Sequence, residues 1–124
     1  MKKILIVEDD LVMQSLYEDM LTSEGFIVDK ASSGTEADGK LADETYDLVL
    51  MDVLLPGMNG VELLKKVKAD KSHRNTNSRM LLLTALDDER IANNALQHGA
   101  AGYLLKFKMD PGQVLSKVKE ELVN

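Results

Sequence analysis

Cysteine is absent from the 124 residues. That excludes a disulfide framework, a thiolate zinc site, an iron–sulfur cluster and a cysteine nucleophile. Long apolar runs are missing as well. The run Ile4–Val7 stops at Glu8, so even with Lys2 and Lys3 ahead of it the segment is shorter than the roughly 7–15 residues of a secretory-signal core. Leu48–Met51 and Met80–Leu83 fall far below the roughly 20 apolar residues of a membrane span. A cytoplasmic chain is expected. Positive charge is in deficit: 15 Lys and Arg face 21 Asp and Glu, a net charge of −6. This argues against direct binding of nucleic acid, whose affinity comes mainly from neutralised phosphates, and against an anionic membrane surface.

What is present reads as one domain over residues 1–124. A chain of this length buries roughly 65–68 % of its unfolded surface and needs no metal or disulfide to fold. Its composition, 44 % hydrophobic and 29 % charged, is that of an ordinary globular protein. Five short apolar runs recur along it: Ile4–Val7, Phe26–Val28, Leu48–Met51, Met80–Thr84 and Tyr103–Leu105. The first, third and fourth are continuously apolar, as central parallel strands covered on both faces must be. The second is shorter and more polar, the pattern of an edge strand.

Segments with helical spacing lie between the runs. Met13, Leu16, Tyr17, Met20 and Leu21 form one apolar stripe, and Val114, Leu115, Val118 and Leu122 another. Ser33 with Glu36 predicts a capping box, and Asp87, Asp88 and Glu89 put negative charge at a helix start. Gly99 suits a helix end, and Asp110 before Pro111 suits an N-cap and first helical position. Asp70–Arg79 is the one long polar loop. The expectation is an α/β fold, five strand–helix units doubly wound about a parallel sheet, with helices on both faces.

In such a sheet, ligands bind at the carboxyl ends of the strands, where the chain order reverses. Those ends carry Glu8, Asp9 and Asp10 after the first strand, Asp52 after the third, Thr84 at the fourth and Lys106 at the fifth. Each alone is an ordinary surface feature; their joint placement is not. Carboxylates converging on one crevice repel one another, and a hard divalent cation relieves that repulsion. With a lysine charge and a hydroxyl donor, the set describes a site for a phosphoryl group, with an Asp as nucleophile.

Four segments then carry a resemblance. Ile4-Leu-Ile-Val-Glu-Asp-Asp10, Met51-Asp-Val-Leu-Leu-Pro-Gly-Met-Asn-Gly60, Leu83-Thr-Ala85 and Gly102-Tyr-Leu-Leu-Lys106 resemble the signatures of the bacterial response-regulator receiver domain, in the family's order and across nearly the whole chain. The resemblance implies a flavodoxin-like sheet with strand order 2-1-3-4-5. It implies that Asp52 is the phosphoacceptor and that Mg²⁺ is held by Asp9 and Asp52, by Glu8 through water, and by the main-chain carbonyl of Leu54. Thr84 and Lys106 would contact the phosphoryl oxygens, with Thr84 and Tyr103 as the switch pair. Asp10 matches no ligand position and is expected to cap the first helix; His73 and His98 receive no role.

The partners implied are a histidine kinase or histidine phosphotransfer protein, and a downstream effector or fused output domain. The latter would engage the face formed by the fourth helix, fifth strand and fifth helix. Such a domain assists only its own phosphorylation and dephosphorylation and is not an enzyme. The resemblance also implies that Leu54 and Leu86 stand at the positions that flank the approach of a hydrolytic water in the family. One departure stands out: Phe107 follows Lys106 where the family has a proline behind a cis bond. A cis bond before a non-proline residue costs about 2.5–4 kcal/mol, so either the bond is trans and Lys106 shifts, or packing holds it cis.

Two alternatives remain at this point. A haloacid-dehalogenase-type phosphatase also uses an Asp nucleophile with Mg²⁺, but it wants Asp-x-Asp where this chain has Glu8-Asp9-Asp10. A phosphorylation-independent pseudo-receiver would be expected to lack one of the acidic residues or Lys106, and all are present.

Overall fold

Strand residues alternate sides, so a continuously apolar strand must be covered twice. In β1 (Lys3–Val7), Leu5 and Val7 join a core layer with Ala37, Leu41, Leu63 and Val67, while Ile4 and Ile6 join a second layer with Tyr17, Leu21, Val114 and Val118. The computed structural model describes residues 1–123. The remaining elements are α1 (Leu11–Ser23), β2 (Ile27–Ala31), α2 (Gly34–Asp43), β3 (Leu48–Met51), α3 (Gly60–Ala69), β4 (Arg79–Thr84), α4 (Glu89–Gln97), β5 (Gly102–Leu105), a 3₁₀ turn (Lys106–Lys108) and α5 (Pro111–Leu122). All strand pairs are parallel, in the order β2-β1-β3-β4-β5. Helices α2, α3 and α4 cover one face, and α1 and α5 the other. This is the doubly wound α/β architecture the sequence predicts.

Several local expectations need correction. The edge strand β2 runs Ile27–Ala31 rather than Phe26–Val28, and its middle residues are half-buried at best. Within the α1 stripe, Tyr17 and Leu21 are buried and Met13 and Met20 are half-buried, but Leu16 is 42 % exposed. Gln14 is buried in its stead. Ser33 caps α2 by accepting from the Glu36 N–H. The Glu36 carboxylate returns not to Ser33 but to the N–H of Ser32, at 2.6 Å, so the box is offset by one residue. A reciprocal box does form at α5 between Asp110 and Gln113, with Pro111 at its first turn. Asp88 caps α4, and Gly99 follows it at φ +102°. Among the described residues, no helix is long and apolar enough to cross a membrane.

Candidate functional site

The sheet order places the topological reversal beside β1 and β3, and the chain arrives there with its carboxylates. Glu8 and Asp9 leave the end of β1 and Asp52 leaves the end of β3. One ligand atom from each lies within 4.8 Å of the others. Glu8 and Asp52 are buried, whereas Asp9 is exposed. Lys106 reaches in from beyond β5, donating to Asp52 Oδ2 at 2.8 Å and to Glu8 Oε1. Main-chain donors hold the other oxygens: the Leu54 N–H points at Asp52 Oδ1 (3.1 Å) and the Asp10 N–H at Glu8 Oε2 (3.1 Å).

Electrostatics follow from this burial. Loss of solvent pushes the Glu8 carboxyl above its ordinary range, and the hydrogen bond from Lys106 only partly opposes it. For Lys106 burial acts downward, but hydrogen bonds to Asp52 and Glu8 outweigh it and the ammonium is held charged above its usual value. Three clustered carboxylates, two of them paired with a single ammonium, are a hard oxygen set with charge to spare, the donor chemistry a divalent cation such as Mg²⁺ uses.

Backbone geometry fixes the loop that bears Asp52. A Cβ built on Gly60 would stand 2.2 Å from the Asp52 carbonyl oxygen, so only glycine lets α3 start this close. The Gly60 N–H closes the loop on the Val53 carbonyl at 2.9 Å. Asp10 lies outside the cluster and caps α1, accepting from the N–H groups of Val12 and Met13 as expected. No cis peptide occurs among the described residues. Lys106 therefore reaches Asp52 from a trans bond to Phe107.

Thr84 and Tyr103 are joined through one residue. The Leu86 N–H donates to Thr84 Oγ1 at 3.2 Å, and the Leu86 carbonyl accepts from the Tyr103 hydroxyl at 2.7 Å. Thr84 is wholly buried, and Tyr103 half-buried against the α2–α3–α4 layer. Sequence reasoning missed Gln14. Its buried amide donates to the carbonyls of Glu8 (3.0 Å) and Ala31 (3.2 Å), tying the ends of β1 and β2 beneath the acidic pair. Its signal was available: a polar residue flanking an apolar stripe, six positions after Glu8.

A family model described as "Response regulator receiver domain" matches residues 4–119. The chain belongs to this family. Chemotaxis protein CheY of Bacillus subtilis is 31 % identical over 122 residues, covering 97 % of each chain. Regulatory protein VanRB of Enterococcus faecalis is 36 % identical over 98 % of this chain but only 52 % of its own length. The chain spans about half the length of several curated regulators it matches, CrdR of Helicobacter pylori among them at 50 %. Among solved structures, the CheY-like receiver domain protein of Methanospirillum hungatei superimposes with a TM-score of 0.89 at 31 % identity, covering 98 % of this chain and 94 % of that one. The molecule is thus a receiver domain of the two-component kind, and neither the phosphatase nor the pseudo-receiver alternative is favoured.

Proposed function

We propose that Asp52 is the phosphoacceptor of this receiver domain. A carboxylate oxygen of Asp52 attacks the phosphorus of a phosphohistidine on a histidine kinase or phosphotransfer protein. The P–N bond breaks, and the leaving imidazole nitrogen keeps the bonding pair and takes up a proton. Asp9, Asp52, the Leu54 main-chain carbonyl and, through water, Glu8 would hold Mg²⁺. Bound there, Mg²⁺ would supply charge neutralisation between the carboxylate and the incoming phosphoryl oxygens. Lys106 contributes a fixed positive charge at the same place, and Thr84 a hydroxyl donor. The observation that carries this reading is the convergence of Glu8, Asp9 and Asp52, with the Lys106 ammonium bonded to Glu8 and Asp52. One structural neighbour, 29 % identical with a TM-score of 0.87, is the Borrelia burgdorferi CheX-CheY-BeF3-Mg+2 complex, which supports the metal and phosphoryl chemistry by likeness.

The switch follows from the Leu86 linkage. Drawing the Thr84 hydroxyl toward a phosphoryl oxygen removes the acceptor of the Leu86 N–H, and movement of Leu86 carries the Tyr103 hydroxyl with it. The surface of α4, β5 and α5 is thereby reshaped for an effector or a fused output domain, in the cytoplasm. The domain turns over no separate substrate.

Treatment with acetyl phosphate and Mg²⁺ should add one phosphoryl group to the intact mass. The adduct should vanish in Asp52→Asn and with excess EDTA; its persistence in Asp52→Asn overturns the assignment.

A further inference from the structure

A cavity of about 380 Å³ opens where α3 and α4 end, beside the polar loop that leads into β4. Helices run back along a parallel sheet, so this is the end of the molecule away from Asp52. Its ionisable lining is basic throughout: Lys65, Lys68 and Lys71, with His98 from the end of α4. No carboxylate lines it, in a chain with a net charge of −6. The acidic residue beside Lys71 in sequence, Asp70, turns its Oδ1 onto the N–H and hydroxyl of Ser72. None of the three lysines makes an ion pair among the described residues. Lys66, between them on α3, is by contrast paired with Asp38 at 2.6 Å. A helix C-terminus attracts cations, which accounts for Lys68 in the last turn of α3. It does not account for Lys65, nearly a turn earlier, or for Lys71, beyond the helix end at Ala69.

Lys68 is the fixed point of the cluster. Two of its three N–H donors go to the carbonyls of Thr76 (2.9 Å) and Ser78, which leaves one for a ligand. Gly99 lies close against its stem, where a Cβ would stand 3.3 Å from Lys68 Cγ. Burial, and then the charges of Arg79 and Lys71, hold the ammonium below its usual pKa, and no carboxylate acts in the other direction. Like charges gathered without a counter-charge are relieved by an anion, and a lysine ammonium binds phosphate as a point charge. The volume lies at the small end of the roughly 300–1,000 Å³ of small-molecule sites. The positive lining also stops short. Lys65 lines a neighbouring cleft between α3 and α4 as well, and that cleft carries Glu62 and Asp88. A compact ligand fits these limits and a long polyanion does not.

We propose that this cavity binds a small phosphate-bearing anion of at least two negative charges, held by Lys65, Lys68 and Lys71 and separate from the phosphoacceptor.

Inorganic pyrophosphate is the probe, titrated into the protein by calorimetry in EDTA, so that no Mg²⁺ can join it to the acidic cluster. One pyrophosphate should bind per chain, with the largest amide NMR shifts at Lys71, Thr76, Asn77 and Gly99. Lys68→Gln should weaken binding by about tenfold, the worth of a hydrogen bond to a charged group. Lys65→Gln and Lys71→Gln remove side chains that hold no other partner among the described residues, so the fold should be kept. Each should weaken binding by about threefold, the worth of a more exposed charge contact. Lys117→Gln, on α5 at the other face of the sheet, should bind as the wild type does. No saturable binding at millimolar pyrophosphate overturns the proposal, as does an equal weakening by Lys117→Gln. Unchanged affinity in any folded one of the three cavity variants overturns it too, and largest shifts around Asp52 would put the anion at the phosphoryl site instead.

Discussion

Asp9 and Asp10 are neighbours with opposite fates. Asp9 joins the acidic cluster while Asp10 turns its carboxylate onto the first N–H groups of α1. Mg²⁺ should therefore stabilise the protein by mass action, and Asp9→Ala should abolish most of that gain in Tm. Asp10→Ala should retain the Mg²⁺ effect while lowering stability by about 1 kcal/mol through loss of the cap. The reverse pattern would place the metal one residue out of register. Leu54 and Leu86 matter for a different reason. The Leu54 side chain is 55 % exposed and Leu86 half-buried, and neither can orient a water for attack on an acyl phosphate. Placement of the attacking group is a large part of such catalysis. The phosphorylated form should thus decay slowly, about tenfold or more slower than a Leu54→Asn, Leu86→Glu double variant. Decay of the wild type at the double variant's rate, or faster, would refute shielding.

At the scale of elements, β1, β3 and β4 were legible in the sequence to within one residue because both their faces are buried, so apolarity alone outlines them. The edge strand β2 was not, because Asp29 and Lys30 sit where one side meets solvent and the apolar signal stops early. Asp29 also has a contact that local pattern cannot reveal: it accepts from the Tyr46 hydroxyl at 2.7 Å, across 17 residues. The polar segment before β4 hid its anchoring likewise. Asn75 is wholly buried there, accepting from the Tyr46 N–H and donating to the carbonyls of Leu41 and Glu44. Burial pushes the Asp29 carboxyl up, but the Tyr46 hydroxyl and the Lys3 charge outweigh it, and its pKa falls below 3.8. A carboxyl depressed by folding contributes stability above its unfolded pKa, and that contribution is lost as pH falls through the folded value. The Tm deficit of Tyr46→Phe should accordingly be present at pH 7 and shrink below about pH 4. A deficit independent of pH would assign the hydroxyl no linkage to Asp29.

Across the whole molecule, the fold collects side chains separated by nearly a hundred positions. Glu8 and Lys106 meet because all strands run the same way, so the carboxyl ends of β1 and β5 lie along one edge of the sheet. The strand-end rule brought out Glu8, Asp9, Asp52 and Lys106 from sequence, and the structure brings these four together. The rule could not reveal that Leu86 bridges Thr84 and Tyr103 by its main chain, since that depends on no side-chain type at a strand end. The account stands on the chemistry of one carboxylate. Reduction of the phosphorylated protein with borohydride converts an acyl phosphate to the alcohol, so an aspartyl phosphate becomes homoserine. Fragment masses after such trapping should place homoserine at position 52 and nowhere else. Homoserine at position 9 or 10, or a phosphoryl group that survives on a histidine or hydroxyl side chain with position 52 unmodified, would contradict it.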